Sequence, residues 1–169
     1  LKQVNANAEL IHLKQILGLE QGKKYTDTST LRYGKIIILT DQDLDGSHIK
    51  GLILNWVDTF WPDLLSKNFV SVFQTPIIKA TKGKKEEVFY SLQKFEQWKE
   101  TVENSETFNT KYFKGLATSS TKEAKEYFKK LSLQNFNSND NSKDALDKAF
   151  NKERADDRKK WLTKYDKDD

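Results

Sequence analysis

Hydrophobic and polar positions along the chain predict both helices and strands. Leu10, Leu13 and Leu17 recur at helical spacing, and Gly18 follows as a stop signal, so a helix is expected over 5–17. The uninterrupted aliphatic run at 36–39 is typical of a strand buried inside a parallel sheet. A second helix, capped by Ser47 and ended near Pro62, is predicted from a long apolar stripe: Ile49, Leu52, Ile53, Trp56, Val57 and Phe60.

The second half of the chain alternates short strand signals with helix signals. Strands are predicted within 69–80, where one bent strand or two short ones would fit, and at 87–92 after a lysine-rich hairpin turn. A last strand is expected at 111–113. Helices are predicted around 95–102 and from Ser120, where Ser120-Thr121-Lys122-Glu123 matches a capping box. We therefore expect an α/β domain over 1–134, a low-complexity loop at 135–143 and a helical tail at 144–169.

Three aspartates at alternate positions follow the aliphatic strand directly. Residues two apart on an extended chain point the same way, so Asp41, Asp43 and Asp45 are expected to converge on one point at the carboxyl end of the strand. Carboxylates held that close repel one another unless a cation lies among them. Oxygen ligands favour Mg²⁺, with Mn²⁺ or Ca²⁺ as substitutes, over zinc. The sequence therefore predicts a divalent metal site.

The acidic triplet allows three other interpretations. An EF-hand loop would need Glu at its twelfth position, where this chain has Leu52, and it would be entered from a helix rather than a strand. An aspartyl phosphotransferase of the haloacid-dehalogenase kind, with Asp41 as nucleophile, matches in part. A solvated acidic turn with no chemistry is the third possibility. The last two stay open on the sequence.

Composition and charge point to partners outside the chain. Hydrophobic residues make up 36% of the 169 residues and charged residues 32%, which is polar for a free-standing domain, and the chain does not begin with Met, so we expect a piece of a longer protein. The absence of Cys excludes disulfides and zinc-thiolate sites. No apolar run approaches the roughly 20 residues that span a bilayer, so no membrane partner is expected.

Basic residues exceed acidic ones by 29 to 25 and cluster at 82–85, 122–130 and 158–160. Such clusters suit a polyanion, although ordinary solvated helix faces would look the same. A non-catalytic basic module that binds nucleic acid therefore remains an alternative. A strand, a glycine-bearing loop and a capped helix over 111–128 also form an anion-binding arrangement, in which Lys114 could reach a phosphate.

Two separated segments together resemble one family, the metal-binding TOPRIM region of eukaryotic-type type IIA DNA topoisomerases. The first runs from Leu31 to Leu52 through Asp41-Gln42-Asp43-Leu44-Asp45-Gly46, and the second runs from Tyr112 to Phe128 through Lys114-Gly115-Leu116. Shorter stretches at 73–77, 89–92 and 156–162 fit the same pattern in the same order. The resemblance covers nearly the whole chain.

The resemblance implies a fold and a function. The fold would be a Rossmann-like, mostly parallel TOPRIM sheet flanked by helices, without its first strand, with the helical tail leading towards a winged-helix domain. The chain would belong to the cleavage and religation core of an ATP-dependent, double-strand-passing topoisomerase in the nucleus. That enzyme is a homodimer acting on double-stranded DNA. The tyrosine nucleophile and the ATP site would lie outside this chain, which alone is not expected to turn over.

The resemblance also implies roles for individual residues. Asp41 and Asp43 would be the principal Mg²⁺ ligands and Asp45 an outer or second-metal partner. DNA contacts would come from Lys114, Gly115 and Leu116, with His48 and Lys50 in support. Two departures stand out: the family's Glu-Gly-Asp-Ser-Ala stretch, which supplies a further ligand, is not in this chain, and Ala117 stands where the family usually has a second glycine.

Overall fold

A computed structural model describes residues 4, 6–113, 115, 119–129, 131–136 and 138–164 of the chain. Its residues divide into two units, each assembled from separate segments of sequence. The first unit comprises Leu1–Ile38, Gly51–Val72 and Asn135–Leu162, and the second comprises Leu39–Lys50, Phe73–Gln134 and Thr163–Asp169. The division does not follow chain order, so the linear domain boundaries expected from the sequence remain a prediction.

The first unit combines helices with a small sheet. Its elements are α1 (Ala8–Leu17), β1 (Ile36–Ile38), most of α2 (Leu44–Phe60), α3 (Pro62–Leu65), β2 (Val70–Phe73), α6 (Asp140–Phe150) and α7 (Ala155–Thr163). Gly18 ends α1 with φ of 76°, as predicted. In the hydrophobic core of this unit, the apolar side of α2 packs beside β2. Four side chains there are fully buried: Val57, Leu64, Phe69 and Val70.

β1 forms one edge of this sheet. It runs parallel to β2, with Ile36 opposite Val70, and the strand order is β1-β2-β6, where β6 is Leu133–Asn135. At the edge only one face is covered: Ile38 is buried, while Ile37 is 44% exposed. The prediction of a strand is confirmed, but full burial of that strand is not found within the described residues.

The second unit contains an antiparallel sheet of three strands in the order β4-β3-β5. β3 (Ile78–Lys82) and β4 (Lys85–Phe89) form the predicted hairpin, and β5 (Asn109–Tyr112) pairs with the other edge of β3. Helix α4 (Leu92–Thr101) packs on the sheet through Phe95, whose ring contacts Phe89 edge to face at 5.2 Å between centroids. Helix α5 (Thr121–Lys129) follows the loop after β5.

Two expectations need correction. The described strand pairings include one parallel pair and two antiparallel pairs, so the mixed α/β class holds but a mostly parallel sheet is not confirmed. The segment 135–143 is not loop throughout, because β6 reaches Asn135 and α6 begins at Asp140. Two residues of this Asn- and Ser-rich segment, Asn139 and Ser142, form a capping box that stabilises the start of α6.

The helical tail is held by basic side chains. Arg154 binds the carboxylates of Asp144, Asp147 and Asp157, and the Arg158 guanidinium donates to backbone carbonyls at 148, 149 and 151, where α6 ends. Arg158 therefore serves as a helix cap as well as a member of a basic cluster. None of the helices in the described part of the chain is long and apolar enough to cross a membrane.

Phe95→Ala should destabilise the second unit locally. The substitution empties space among Ile78, Ala80 and Phe89, which costs about 3–5 kcal/mol for a buried aromatic residue. We expect backbone amides of β3 to exchange with deuterium at least about a hundredfold faster. Leu92→Ala, at an exposed position of the same helix, is the control and should change exchange little. Equal effects of the two variants would contradict this packing.

Candidate functional site

The acidic loop, defined here as residues 40–43, leads from β1 into α2. The Asp43 carboxylate accepts the backbone N–H of Gly46 at 2.7 Å, and its carbonyl accepts the N–H of Ser47 at 3.0 Å. Asp43 is therefore the N-cap of α2, and its negative charge suits the positive end of the helix. Ser47, the predicted cap, lies one turn inside the helix and donates its hydroxyl back to the Asp43 carbonyl at 2.9 Å.

This early helix start changes the geometry of the acidic triplet. Asp45 lies in the first turn of α2, so the alternation expected of an extended chain is wrong beyond Asp43. Among the described residues, no three His, Asp or Glu side chains lie close enough together to hold a metal ion. A ready-made cage of three acids is therefore not formed by this part of the chain.

The donor set still suits Mg²⁺. That ion keeps several waters and is usually held by one or two carboxylates together with phosphate oxygens of a substrate. Asp41 and Asp43 are both exposed carboxylates on one short loop, and the hydrogen bond from Gly46 engages a single oxygen of Asp43. Their chemistry fits a hydrated Mg²⁺ better than zinc.

Two glycines approach Asp41 closely. A Cβ on Gly46 would lie 2.1 Å from the carbonyl oxygen of Asp41, and a Cβ on Gly115 would lie 2.5 Å from the Asp41 carboxylate. No side chain larger than hydrogen fits either place without movement. Gly46 follows the acidic triplet, whereas Gly115 comes from the loop after β5. The structure thus brings together two motifs that are 74 positions apart in sequence.

Lys50 and Gln42 link the acidic loop to α2. The Lys50 ammonium donates to the Gln42 side-chain carbonyl at 3.3 Å, and the Gln42 amide donates to the Thr75 hydroxyl, also at 3.3 Å. Burial lowers the pKa of Lys50, and the nearby Asp43 carboxylate opposes that shift. Lys50 therefore lies near the acidic loop, as predicted. Gln42 and Thr75 were missed, because neither residue type at that spacing signals a bridging role.

The remaining predicted residues divide into two groups. His48 is exposed on the second turn of α2. Lys114, Leu116 and Ala117 lie outside the described residues, so the expectations for them stay predictions. Gly115 is described, and its backbone lies against Asp41.

The loop that carries Gly115 is bounded by a second charged cluster. The Lys111 ammonium on β5 lies 2.9 Å from both carboxylate oxygens of Glu123 on α5. Burial opposes the charged form of Glu123, but hydrogen bonds from Lys111 and from the N–H and hydroxyl of Ser120 prevail and lower its pKa from 4.5 to about 2. The capping box is confirmed; its lysine partner was missed, because it is 12 positions away.

Comparison with known proteins gives three consistent results. Residues 73–169 match the family described as TOPRIM_C, the C-terminal associated domain of TOPRIM. The chain is 51% identical over 170 residues to DNA topoisomerase 2 of Bombyx mori, and 48% identical over 173 residues to human DNA topoisomerase 2-alpha. These alignments cover 97% and 99% of this chain. The chain spans only 11% of the length of each relative.

The comparison with solved structures agrees with these sequence relatives. The chain is similar to the DNA-binding, cleavage and re-ligation domain of Plasmodium falciparum topoisomerase II, with a TM-score of 0.89 and 42% sequence identity. The alignment covers 98% of this chain and 23% of that one. Similarity at that identity extends beyond a shared fold class.

Gly46→Ala should disturb the acidic loop. The new methyl group would meet backbone, so Asp41 has to shift at a cost of about 1–3 kcal/mol. We expect hydrogen exchange at the amides of residues 46 and 47, both bonded to Asp43, to rise about tenfold or more. Gly34→Ala is the matched control, since its methyl group would meet only the Thr28 hydroxyl at 3.6 Å. Unchanged exchange in Gly46→Ala would contradict the close contact.

Glu123 should titrate far below an ordinary glutamate. Its folded-state pKa is lowered, so its contribution to stability is complete above pH 4.5 and is lost as the pH falls towards 2. Selective ¹³C labelling of glutamate carboxyls, with Glu123→Gln to assign the signal, should give a titration midpoint near 2. A midpoint near 4.5 would show that the contacts with Lys111 and Ser120 do not hold in solution.

Proposed function

Because the chain belongs to the family of the C-terminal associated domain of TOPRIM, we propose that it forms the metal-binding part of the DNA cleavage and religation core of a type IIA DNA topoisomerase. Its relatives over nearly the full chain are named DNA topoisomerase 2, which supports a DNA strand-passage activity for the whole protein. The chain covers about a tenth of such proteins, so this activity is an inference about the larger assembly.

One observation carries the proposal. The acidic loop and the loop after β5 lie in the two segments on which the family resemblance rests, and they meet at the contact between Gly115 and the Asp41 carboxylate. An acidic metal site beside a loop that can approach a phosphate is the arrangement that metal-assisted phosphodiester chemistry requires. A solvated acidic turn would give no reason for a glycine from a distant loop to lie against that carboxylate.

In this proposal Asp41 and Asp43 hold Mg²⁺, with Asp45 as an outer or second-metal partner. Mn²⁺ or Ca²⁺ could occupy the same oxygens. When bound, the metal supplies Lewis-acid stabilisation of negative charge on the phosphate and on the departing oxygen. Asp43 has two roles, because one of its oxygens also fixes the start of α2.

Basic groups beside the acids favour a polyanion. Lys50 is held on Gln42 near Asp43, where its ammonium offsets part of the loop's negative charge. We propose that Lys114, Gly115 and Leu116 contact the DNA backbone, with His48 and Lys50 in support. Exposed lysines of α5, such as Lys122 and Lys125, would extend the same basic surface.

The whole protein would supply what this chain does not. A tyrosine outside the chain would attack the phosphodiester, and ATP would bind outside it as well. The enzyme would act as a homodimer on double-stranded DNA in the nucleus, in keeping with the eukaryotic sources of its relatives. The chain alone would not turn over.

Asp43→Asn in the full-length protein tests the metal role without removing the helix cap. Asn caps as well as Asp, so the bond to the Gly46 N–H can persist while the charge is lost. We expect Mg²⁺-dependent DNA cleavage to fall by about two orders of magnitude, as loss of several kcal/mol of charge stabilisation requires. Asp63→Asn, in the first turn of α3, is the control and should cleave normally.

Other outcomes would identify another function. Unchanged cleavage by Asp43→Asn would reject the metal role. A covalent phospho-aspartate at Asp41, trapped from a phosphate donor, would indicate a phosphotransferase instead. DNA binding that is independent of metal, steeply dependent on salt, and unaccompanied by cleavage would indicate a basic binding module.

A further inference from the structure

We propose that Lys111, Ser120 and Glu123 form a clasp that positions Asp41 for metal binding. The clasp is the set of hydrogen bonds among these three residues. These bonds join the end of β5 to the first turn of α5. None of the three is expected to touch the metal or DNA; they would act through Gly115. The inference rests on the proposed function, because it assigns a positioning role at the same site.

In the clasp, both oxygens of the Glu123 carboxylate accept hydrogen bonds. Both Glu123 oxygens accept from the Lys111 ammonium at 2.9 Å, and one also accepts from the N–H and the hydroxyl of Ser120 at 2.7 Å each. The Ser120 hydroxyl in turn accepts the N–H of Glu123 at 3.3 Å. The Glu123 side chain is only 14% exposed, whereas Glu96, in the surface pair with Lys99, is 56% exposed. Burial and multiple partners set this ion pair apart from ordinary surface pairs.

Both ends of the loop make contacts besides the hydrogen bonds of the clasp. On the β5 side, the N–H of Phe113 donates to the Ile77 carbonyl at 2.8 Å, and the Phe113 ring lies 4.7 Å from the Lys111 ammonium. On the α5 side, Tyr127 packs edge to face against Phe113, with 6.5 Å between ring centroids, and Phe128 stacks on Phe73 at 5.4 Å. The Phe113–Tyr127 contact joins the end of the strand to the helix, and the clasp adds hydrogen bonds between the same two elements.

Gly115 lies within the loop that the clasp closes. Its backbone is so near the Asp41 carboxylate that a Cβ would lie 2.5 Å from Oδ1 and 2.7 Å from Oδ2. With the base of the loop shut, the Gly115 backbone would stay against the Asp41 carboxylate, and the Gly46 backbone lies against the Asp41 carbonyl. Opening the base would let Gly115 withdraw and leave the carboxylate free to turn. A ligand that must be ordered on binding holds its metal less tightly.

One test is independent of turnover: Mn²⁺ is titrated into the full-length protein, its binding is followed by electron paramagnetic resonance, and Glu123→Ala should raise the Kd for Mn²⁺ roughly tenfold. A second test measures the Mg²⁺ concentration that gives half-maximal DNA cleavage by the full-length protein. Glu123→Ala should raise that concentration roughly tenfold, the usual effect of removing a group that orients a metal ligand. Cleavage at saturating Mg²⁺ should stay close to that of the unmodified protein, because the ligands themselves are intact. Glu123→Gln should recover much of the loss, since Gln can still accept from the Ser120 N–H.

Two controls separate positioning from general stability. Ser91→Ala removes the N-cap of α4 in the same unit, and Glu96→Ala removes the exposed pair with Lys99; neither should change the Mg²⁺ requirement. In a double-variant cycle, Lys111→Ala should add little once Glu123 is Ala, because the two side chains act as one pair. If Glu123→Ala fails to fold, Lys111→Ala decides the question by the same readouts: a raised metal requirement supports the positioning role, and an unchanged one contradicts it.

The outcomes distinguish this inference from the proposed function. If Asp41→Asn abolishes cleavage while Glu123→Ala, Ser91→Ala and the unmodified protein share one Mg²⁺ requirement, the clasp has no positioning role and only this inference is wrong. If Asp41→Asn retains full Mg²⁺-dependent cleavage, the proposed metal site itself is wrong, and the clasp has no ligand to position.

Discussion

The close contact between Asp41 and two glycines is the constraint on which the site depends. Gly46 allows the chain to turn back from β1 into α2 with the Asp41 carbonyl against its Cα, and Gly115 allows a distant loop to reach the Asp41 carboxylate. A side chain at either position would push the aspartate away, which is a steric condition rather than a chemical one. Other features of the site, including the cap at Asp43 and the bridge from Gln42 to Lys50, arrange polar groups around that fixed residue.

Asp43 caps α2, and in the proposed function the same residue also holds the metal. It satisfies an otherwise unpaired N–H at the start of α2, and it presents charge where the positive end of the helix favours it. The same helix carries Val57 and Trp56 into the core of the first unit.

Much of the fold could be predicted from the sequence, because the signals were local. The stop at Gly18, the hairpin at 82–85 and the capping box at Ser120 are set by residues within a few positions of one another. The start of α2 was misplaced because two residues, Asp43 and Ser47, could each cap it, and periodicity alone does not choose between them. The contacts of Gly115 with Asp41 and of Lys111 with Glu123 join distant positions, so no local pattern reveals them.

The proposed metal role of Asp41 and Asp43 depends on where a divalent ion binds. The most direct measurement is anomalous scattering from Mn²⁺ in crystals of the full-length protein with DNA. The proposed metal role predicts an Mn²⁺ peak about 2.1 Å from carboxylate oxygens of Asp41 and Asp43, beside Gly115. A peak elsewhere, with both carboxylates bound only to lysines or water, would contradict it.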